Sequence, residues 1–379
     1  MAIIFNIGES IKLSCFNVLL EPIQMMLENE VEAFEKQSLL SKIFRMNKTD
    51  RYEENFRSRT SMGGFKPTED LEPAHISDFG EGYRKTFRTQ IWTNSFVVSK
   101  QTFEDNQMMD INQDAVGFIR SYGRTREMYA FAMIAGALSG SCTFEGRVFD
   151  CHGFDTTDGS VDGTGTAQVY FHNAHKGAGN PSLEQSNKFY VVKSGDSSKK
   201  GINLASDKAH EKILRVIGKV QTAMQNYKDD NGNPILVDPD TIILPSNGYA
   251  LKDTILTALK TQYTSALGDN GVNLQYGNWN VLISPYLNGL TGFAEADQAF
   301  LIMDAKRNKE SVGFMWYDRT PLEVTTYTDN GNKAMIWDGR ARFGAGFGDF
   351  KVCSYVCTGS NPTYAGYATN ATAIDEYLA

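Results

Sequence analysis

The sequence predicts an α+β fold, on three observations. Asp110 to Leu138 places Ala115, Phe118, Ile119, Tyr122, Tyr129, Met133 and Ala137 at helical spacing, the longest amphipathic pattern in the chain. From Ser206 to Pro285 helix and strand patterns alternate, the mark of a compact α/β unit. From Trp279 to Cys357 the pattern is mostly strand. The 379 residues suffice to bury large cores, and 41% hydrophobic with 22% charged residues is the balance of a folded chain. Aromatics at 12% and 34 glycines fit much strand and turn.

The first helix pattern is "EPIQMMLENEVEAFEKQ", with Pro22 suited to the first turn and Ile23, Met26, Leu27, Val31 and Phe34 on one face. That face must dock on the chain's own core or on a neighbour, and its own core is the expectation. Arg51 to Arg88 is charged, glycine-containing and poor in consecutive apolar residues. Structureless loops beyond about 15 residues are uncommon in compact domains, so this stretch is expected to be an extended hairpin reaching outward to a partner. The segment "GYRKTFRTQIWTNSFVVS" then alternates Tyr83, Phe87, Ile91 and Trp92 with basic and hydroxyl residues, as one long, partly exposed strand would.

The Asp110 to Leu138 helix would span about 43 Å at about 1.5 Å per residue. Gly117, Gly123 and Gly136 weaken it by up to about 1 kcal/mol each, so tertiary packing must hold it. Ser139 to Asn203 reads as an irregular insertion of hairpins, with strands at Thr143 to Phe149, Ala167 to Phe171 and Lys188 to Val192. Ser206 is expected to cap the helix "DKAHEKILRVIGKVQTAMQNYK", whose Ile213, Leu214, Ile217, Val220, Met224 and Tyr227 line one side. "TIILP" is a buried strand and "NGYALKDTILTALKTQ" a helix, after the loop of which come the strands "WNVLISP", "AFLIMD" and "VGFMWYD". "PLEVTTYT" and "KAMIWDG" face each other as a hairpin across "DNGN".

Net charge is −8 with a pI near 5.3, so no global basic field exists to grip a nucleic-acid backbone. Cys15, Cys142, Cys151, Cys353 and Cys357 form no CxxC pair, and their odd count fits a reducing interior better than a disulfide framework. The longest apolar run, Met128 to Leu138, is far short of the roughly 20 residues that cross a bilayer, so no membrane partner is expected. The start, "MAIIFNIGESIKLSCF", resembles a secretion signal ending in Ser14-Cys15, but Glu9 and Lys12 interrupt it and no early positive charge precedes it.

The stretch "WDGRARFGAGFGDF" raises the question of a phosphate-binding loop. Gly344, Gly346 and Gly348 are followed by the strand pattern "DFKVCSYVC", where a dinucleotide fingerprint needs a helix whose N-terminal amides hold the phosphates. The expectation is a structural corner, with Arg340 and Arg342 sharing a strand face and binding carboxylates of this or an adjacent subunit. Cys353 and Cys357 read as small core residues. The only suggestive metal group is Cys151 and His152 with Asp155, His172 and His175, without the paired spacing of zinc motifs. A metal-dependent hydrolase built on Cys151, His152, His172 and His175 is the alternative of another class. No serine stands in a GxSxG elbow, and neither a catalytic residue, a cofactor nor a metal is assigned.

Taken in order, these pieces resemble the major capsid proteins of tailed bacteriophages, which have the Hong Kong 97 (HK97) type fold. "TFRTQIWTNSFVVSKQTFEDN" running into the long helix looks like that family's passage from extended loop to spine helix. "DPDTIILPSNGYALKDTIL" is similar to the strand and helix of its axial domain, and "WNVLISPYLN", "AFLIMD", "PLEV" and "IWDGRARFGAGFGDFK" to its closing strands. "GTAQVYFHNAH" and "DDNGNPILVDPDTIILP" look closest to the Mu-like head subunits. The resemblance covers residues 50–357, and it rests on the order of the pieces more than on any one motif.

The resemblance implies an N-terminal arm with an amphipathic helix at 1–50 and an extended loop at 51–90. It implies a peripheral domain at 91–205 with spine helix 110–138 and hairpin insertion 140–203, an axial domain at 206–320, closing strands at 321–358 and a C-terminal tail at 359–379. The implied function is structural and not enzymatic: hexamers and pentamers of an icosahedral shell around packaged double-stranded DNA, contacted non-specifically. Virion localisation, assembly in the host cytoplasm and partners such as a portal, a scaffold and a maturation protease follow from it. No charged coiled-coil pattern precedes the arm, so a fused scaffold segment is not expected. The interface candidates are Arg57, Arg59, Lys66, Glu81, Arg84 and Lys85 on the extended loop, with Arg340 and Arg342 on the closing strands. Lys66 or Lys85 would stand where some relatives carry a cross-linking lysine. An encapsulin-like cellular compartment shell of the same fold is the nearest rival, and a virion decoration or adhesin protein a third reading.

Overall fold

A computed structural model describes residues 3–7, 17–70, 72–77, 79–104, 108–161, 164–193, 196–206, 208–262, 272–329, 331 and 334–375. Ser14 and Cys15 lie outside the described residues, as do most of the loop after Gln262 and part of the "DNGN" turn. The α+β class expected from the sequence is the class observed. Packing divides the chain into two units, each assembled from three separate segments.

The first unit comprises Met1–Glu54, Phe87–Ala130 and Met315–Ala345. Its sheet runs in the order Ile3–Ile7, Phe314–Asp329, Ala334–Phe347, Gln90–Val98, and Arg45–Lys48 also pairs with Phe314–Asp329. "VGFMWYD" and "PLEVTTYT", expected as two strands, are this single strand Phe314–Asp329. Pro321 does not break it, because the partner strand Arg45–Lys48 ends opposite Asp318 and Ile3–Ile7 begins opposite Leu322. The proline sits at that break between the two partner strands of this edge.

The long helix is Met108–Gly136, and the part within this unit packs on the sheet through aromatic rings. Trp92 stacks on Phe343 at 4.9 Å, Phe343 on Trp316 at 5.1 Å, and Tyr129 meets Trp316 edge-on at 5.9 Å. Rings this large bury roughly 150–250 Å² each, which is how a glycine-weakened helix is held. The arm helix is Asn17–Gln37, so it begins five residues before Pro22 and not at it. Its Ile23, Leu27 and Val31 are buried, so the apolar face docks on its own unit, as expected. Gly123 of the long helix makes room for Phe34, since a Cβ there would sit 2.6 Å from the Phe34 ring.

The second unit comprises Asn55–Thr86, Phe131–Phe314 and Gly346–Ala379. Its main sheet orders Asp196–Lys200, Lys188–Lys193, Cys353–Cys357, Ala299–Met303, Thr241–Pro245 and Asn280–Ser284. Thr241–Pro245, Ala299–Met303 and Cys353–Cys357 are buried at every position, which is why they read as short uninterrupted apolar runs. Helices Ala209–Gln225 and Tyr249–Lys260 bury Ile213, Ile217, Val220 and Met224, and Leu251 and Ile255. Ser206 is not the cap of the first: the helix starts at Ala209 after Lys208, and the Ser206 hydroxyl donates to the Asn203 carbonyl. Residues 140–203 fall within this unit.

The tail is tied in as well. Thr372–Asp375 pairs in parallel with Lys188–Lys193, and the buried Lys188 ammonium donates to the carbonyls of Gly366 at 2.9 Å and Thr369 at 2.8 Å. Burial pulls the Lys188 amine down to about 8, with no carboxylate paired to it among the described residues.

Candidate assembly surfaces

The segment read as an extended hairpin is one. Glu53–Arg59 pairs with Glu81–Arg88, and the strand then breaks at Thr89 before Gln90–Val98, so "GYRKTFRTQIWTNSFVVS" is two strands and not one. Between the paired strands the chain is largely in water. Phe65 is fully exposed, Ile76 is 84% exposed, and Met62 and Phe79 are exposed as well. Apolar rings and methyls at the end of a two-stranded ribbon have no core of their own to enter.

The base of the hairpin is fixed within the second unit. Tyr83 is buried and donates its hydroxyl to the Lys176 carbonyl at 2.7 Å. Lys85 is buried too, its ammonium 2.5 Å from Asp150 Oδ2 and 2.9 Å from the His152 carbonyl. Burial alone would raise the Asp150 carboxyl, but the hydrogen bond from His152 and the Lys85 charge outweigh it and hold the group well below the usual carboxylate range. Lys85, expected to reach a neighbour, is thus engaged by its own chain. A side chain on the buried face of a strand cannot serve a second subunit without leaving Asp150.

The remaining loop candidates are on the surface. Arg57, Arg59, Lys66, Glu81 and Arg84 are all exposed. Glu81 and Arg84 pair with each other at 2.9 Å, and the Arg59 guanidinium lies 5.9 Å from the centre of the Phe79 ring. Lys66 adjoins Phe65 near the hairpin end.

The glycine-rich stretch is strand through Phe347, followed by a short 3-10 turn at Phe350–Val352 and then the strand Cys353–Cys357. Gly344 and Gly346 therefore lie inside a strand, and the corner comes later, at Gly348 to Val352. Close backbone approach explains two of the glycines. A Cβ at Gly344 would be 2.5 Å from the Arg88 carbonyl, and one at Gly348 would be 2.0 Å from the Val312 carbonyl. Arg340 and Arg342 do share the outer face, opposite Thr93 and Ile91. Arg340 is exposed, whereas Arg342 is half-buried with its Nε enclosed and without an acceptor among the described residues.

The residues of the hydrolase alternative fall into two groups, Cys151 and His152 in one and His172 and His175, which share Asn187 Oδ1, in the other. His152 Nδ1 meets Asp150 at 2.6 Å, while the Cys151 thiol lies 3.6 Å from the Met133 sulfur. His175 is buried between Asp155, 2.6 Å from Nδ1, and Asn187, 2.8 Å from Nε2. Burial lowers the His172 imidazole to about 4, and its Nδ1 accepts from the Ala174 N–H. Among the described residues no three His, Cys, Asp or Glu side chains are spaced to hold a metal ion. Cys353 and Cys357 are fully buried, and burial pushes the Cys357 thiol up to about 12, which removes thiolate reactivity.

Two polar anchors escaped the sequence reading. Arg126 is buried and meets both oxygens of Asp318 at 2.9 and 3.0 Å, its guanidinium 4.9 Å from the Trp316 ring. Glu127, also buried, accepts from the N–H groups of Leu39 and Leu40, at the start of the helix Leu40–Ile43, and from the Ser38 hydroxyl. A signal was available: Arg126 lies four residues after Tyr122 and three before Tyr129, on the apolar stripe itself.

A family model described as phage capsid protein matches residues 82–353. No curated protein matches the chain. Among solved structures, the capsid of Myoviridae phage XM1 is similar over 84% of this chain and 90% of that one, at 10% identity and a TM-score of 0.46. The capsid of cyanophage P-SCSP1u is similar over 83% and 86%, at 10% identity and 0.46. A virus-like particle from Pyrococcus furiosus is similar over 89% and 98%, at 11% identity and 0.41.

Proposed function

The chain belongs to the phage capsid protein family, and we propose that its copies close as hexamers and pentamers into an icosahedral shell around packaged double-stranded DNA. It is a structural subunit. The observation that supports this shell most directly is the outward hairpin, whose Met62, Phe65, Ile76 and Phe79 meet water in the isolated chain. Laying them on a sister subunit removes them from water, at roughly 1.5–3 kcal/mol for a fully buried large side chain. Each contact is modest, and a closed shell multiplies it until the container is hard to open.

Arg57, Arg59, Glu81 and Arg84 are exposed on the paired strands and Lys66 near the hairpin end, where exposed pairs contribute about 0–1 kcal/mol each and mainly set register. Arg342, half-buried on the outer face of its strand, offers its guanidinium to a carboxylate of an adjacent subunit. The net charge of −8 suits a lining that touches DNA non-specifically without gripping it. Assembly in the host cytoplasm, with a portal, a scaffold and a maturation protease, completes the reading, and the Mu-like head subunits are the relatives it favours.

Electron microscopy of the purified protein tests it, with closed particles as the expected result. The double variant Phe65→Ser, Ile76→Ser should keep its circular dichroism and lose the particles. Shells of normal size and yield from that variant would remove the hairpin from the mechanism.

A further inference from the structure

The strand Gln90–Val98 forms one edge of the first unit's sheet, pairing with Ala334–Phe347 on one side and with no strand on the other among the described residues. Its sequence, "QIWTNSFVV", has no charge, no proline and no glycine. Long uncharged edges template pairing with other chains, and proteins ordinarily blunt them with lysines, prolines or bulges. This edge has none of those devices. Ile91 and Val97 stand 47% and 54% exposed along it.

We propose that this strand pairs with the same strand of a second copy, antiparallel about a two-fold axis at Asn94, so that two sheets become one. The residue order is what selects this partner. Folding the strand about Asn94 sets Thr93 opposite Ser95, Trp92 opposite Phe96 and Ile91 opposite Val97: hydroxyl on hydroxyl, aromatic on aromatic, β-branched on β-branched. A two-fold contact requires this self-complementarity, because the same patch must serve both sides.

The backbone agrees with that register. The Asn94 carbonyl lies against Gly339 of the neighbouring strand, so the even-numbered residues bond inward. Alternation then turns the N–H and C=O groups of Ile91, Thr93, Ser95 and Val97 to the open side. In the proposed pairing these groups face their counterparts, Thr93 with Ser95 and Ile91 with Val97. The Ser95 N–H is held at present by its neighbour's side chain, Asn94 Oδ1, at 3.0 Å. That amide swings aside when the Thr93 carbonyl of the second copy takes its place. On the inner face Phe96 already stacks on Trp337 and Trp92 on Phe343, each at 4.9 Å. Trp92 beside Phe96 of the other copy continues that aromatic row across the axis.

This goes beyond the shell reading, since it names a strand and a register, and it fails separately. Asn94→Cys places two thiols in a non-hydrogen-bonded antiparallel pair, with Cα atoms about 4.5 Å apart, inside the range a disulfide accepts. Oxidised glutathione should convert most Asn94→Cys chains to a covalent dimer on a non-reducing gel. Ile91→Cys, whose copies lie six residues or about 20 Å apart along the ladder, should stay monomeric. Adding Ile91→Lys with Val97→Lys to Asn94→Cys sets like charges opposite each other and should abolish the dimer band. Adding Ile91→Lys with Val97→Glu should restore it, which a general surface effect would not do. No dimer from Asn94→Cys, or a dimer from Ile91→Cys in its stead, overturns the pairing. Electron microscopy of the same samples reports shells independently, so the loss of one reading is distinguishable from the loss of the other.

Discussion

Asp150→Ala and Lys85→Met cut the same ion pair at the hairpin base, yet their costs should differ, because the partners sit in different surroundings. The Lys85 side chain is 8% exposed and that of Asp150 is 57% exposed. Removing the carboxylate strands a buried ammonium beside the His152 carbonyl alone, which should cost about 3 kcal/mol. Removing the ammonium leaves a carboxylate that water can reach and the His152 ring still binds at 2.6 Å, so the loss should be about 1 kcal/mol. The double variant should also cost about 1 kcal/mol, giving a coupling near 3 kcal/mol. Urea unfolding at neutral pH measures these differences, and hydrogen exchange over residues 81–88 localises them. Equal costs for the two single variants would refute the argument. The acid limb provides a second check. Asp150 is held below its ordinary 3.8, so the native state binds fewer protons than the unfolded chain in that region. Its contribution is complete above about pH 4 and is lost as pH falls further, and Lys85→Met should flatten that slope.

Alanine at Gly123 would meet the Phe34 ring at 2.6 Å and should destabilise by about 1–3 kcal/mol. At Gly117 nothing lies within 4 Å, and the same change should stabilise by up to about 1 kcal/mol, with thermal melts reading both signs. Lys188 is pulled down to about 8 from 10.5, so the native state sheds this proton before the unfolded chain does. Stability should therefore rise with pH across that window, and calorimetry should find the rise missing in Lys188→Met. Arg342→Glu should leave the subunit folded and impair shell closure, and normal particles by electron microscopy would remove Arg342 from the interface.

Elements whose burial is one-sided or complete were legible in the sequence. The arm face of Ile23, Leu27 and Val31, the long helix and the buried strands "TIILP" and "AFLIMD" all follow from periodicity or its absence. What periodicity cannot supply is the partner of a side chain. Lys85 reads as one more surface cation until the fold brings Asp150 to it from another hairpin. "VGFMWYD" and "PLEVTTYT" read as two strands, because the sequence does not reveal that one long strand takes two different partners along that edge. The Ser206 cap failed for a similar reason, its hydroxyl being taken by Asn203 in a local turn. Gly344 was read as freedom to bend, whereas a backbone carbonyl close by is what excludes a side chain.

Charge changes abruptly within one continuous stretch, and this separates the two surfaces offered to neighbours. Glu81–Arg88 carries Glu81, Arg84, Lys85 and Arg88, and each has a partner in its own chain: Arg84 with Glu81, Lys85 with Asp150, Arg88 with Glu53. After Thr89 the charges stop, and Gln90–Val98 has none. Charged edges resist indiscriminate pairing because a foreign strand would have to desolvate them, so the hairpin can extend into water without templating aggregation. The same argument makes the bare edge costly for a lone subunit. A strand left unguarded over nine residues is compatible with a soluble protein if its partner arrives early and fits in one register. Symmetry about Asn94 favours that register, because a shift by one residue would set the open-side groups of the odd-numbered residues against even-numbered residues whose N–H and C=O groups already bond inward.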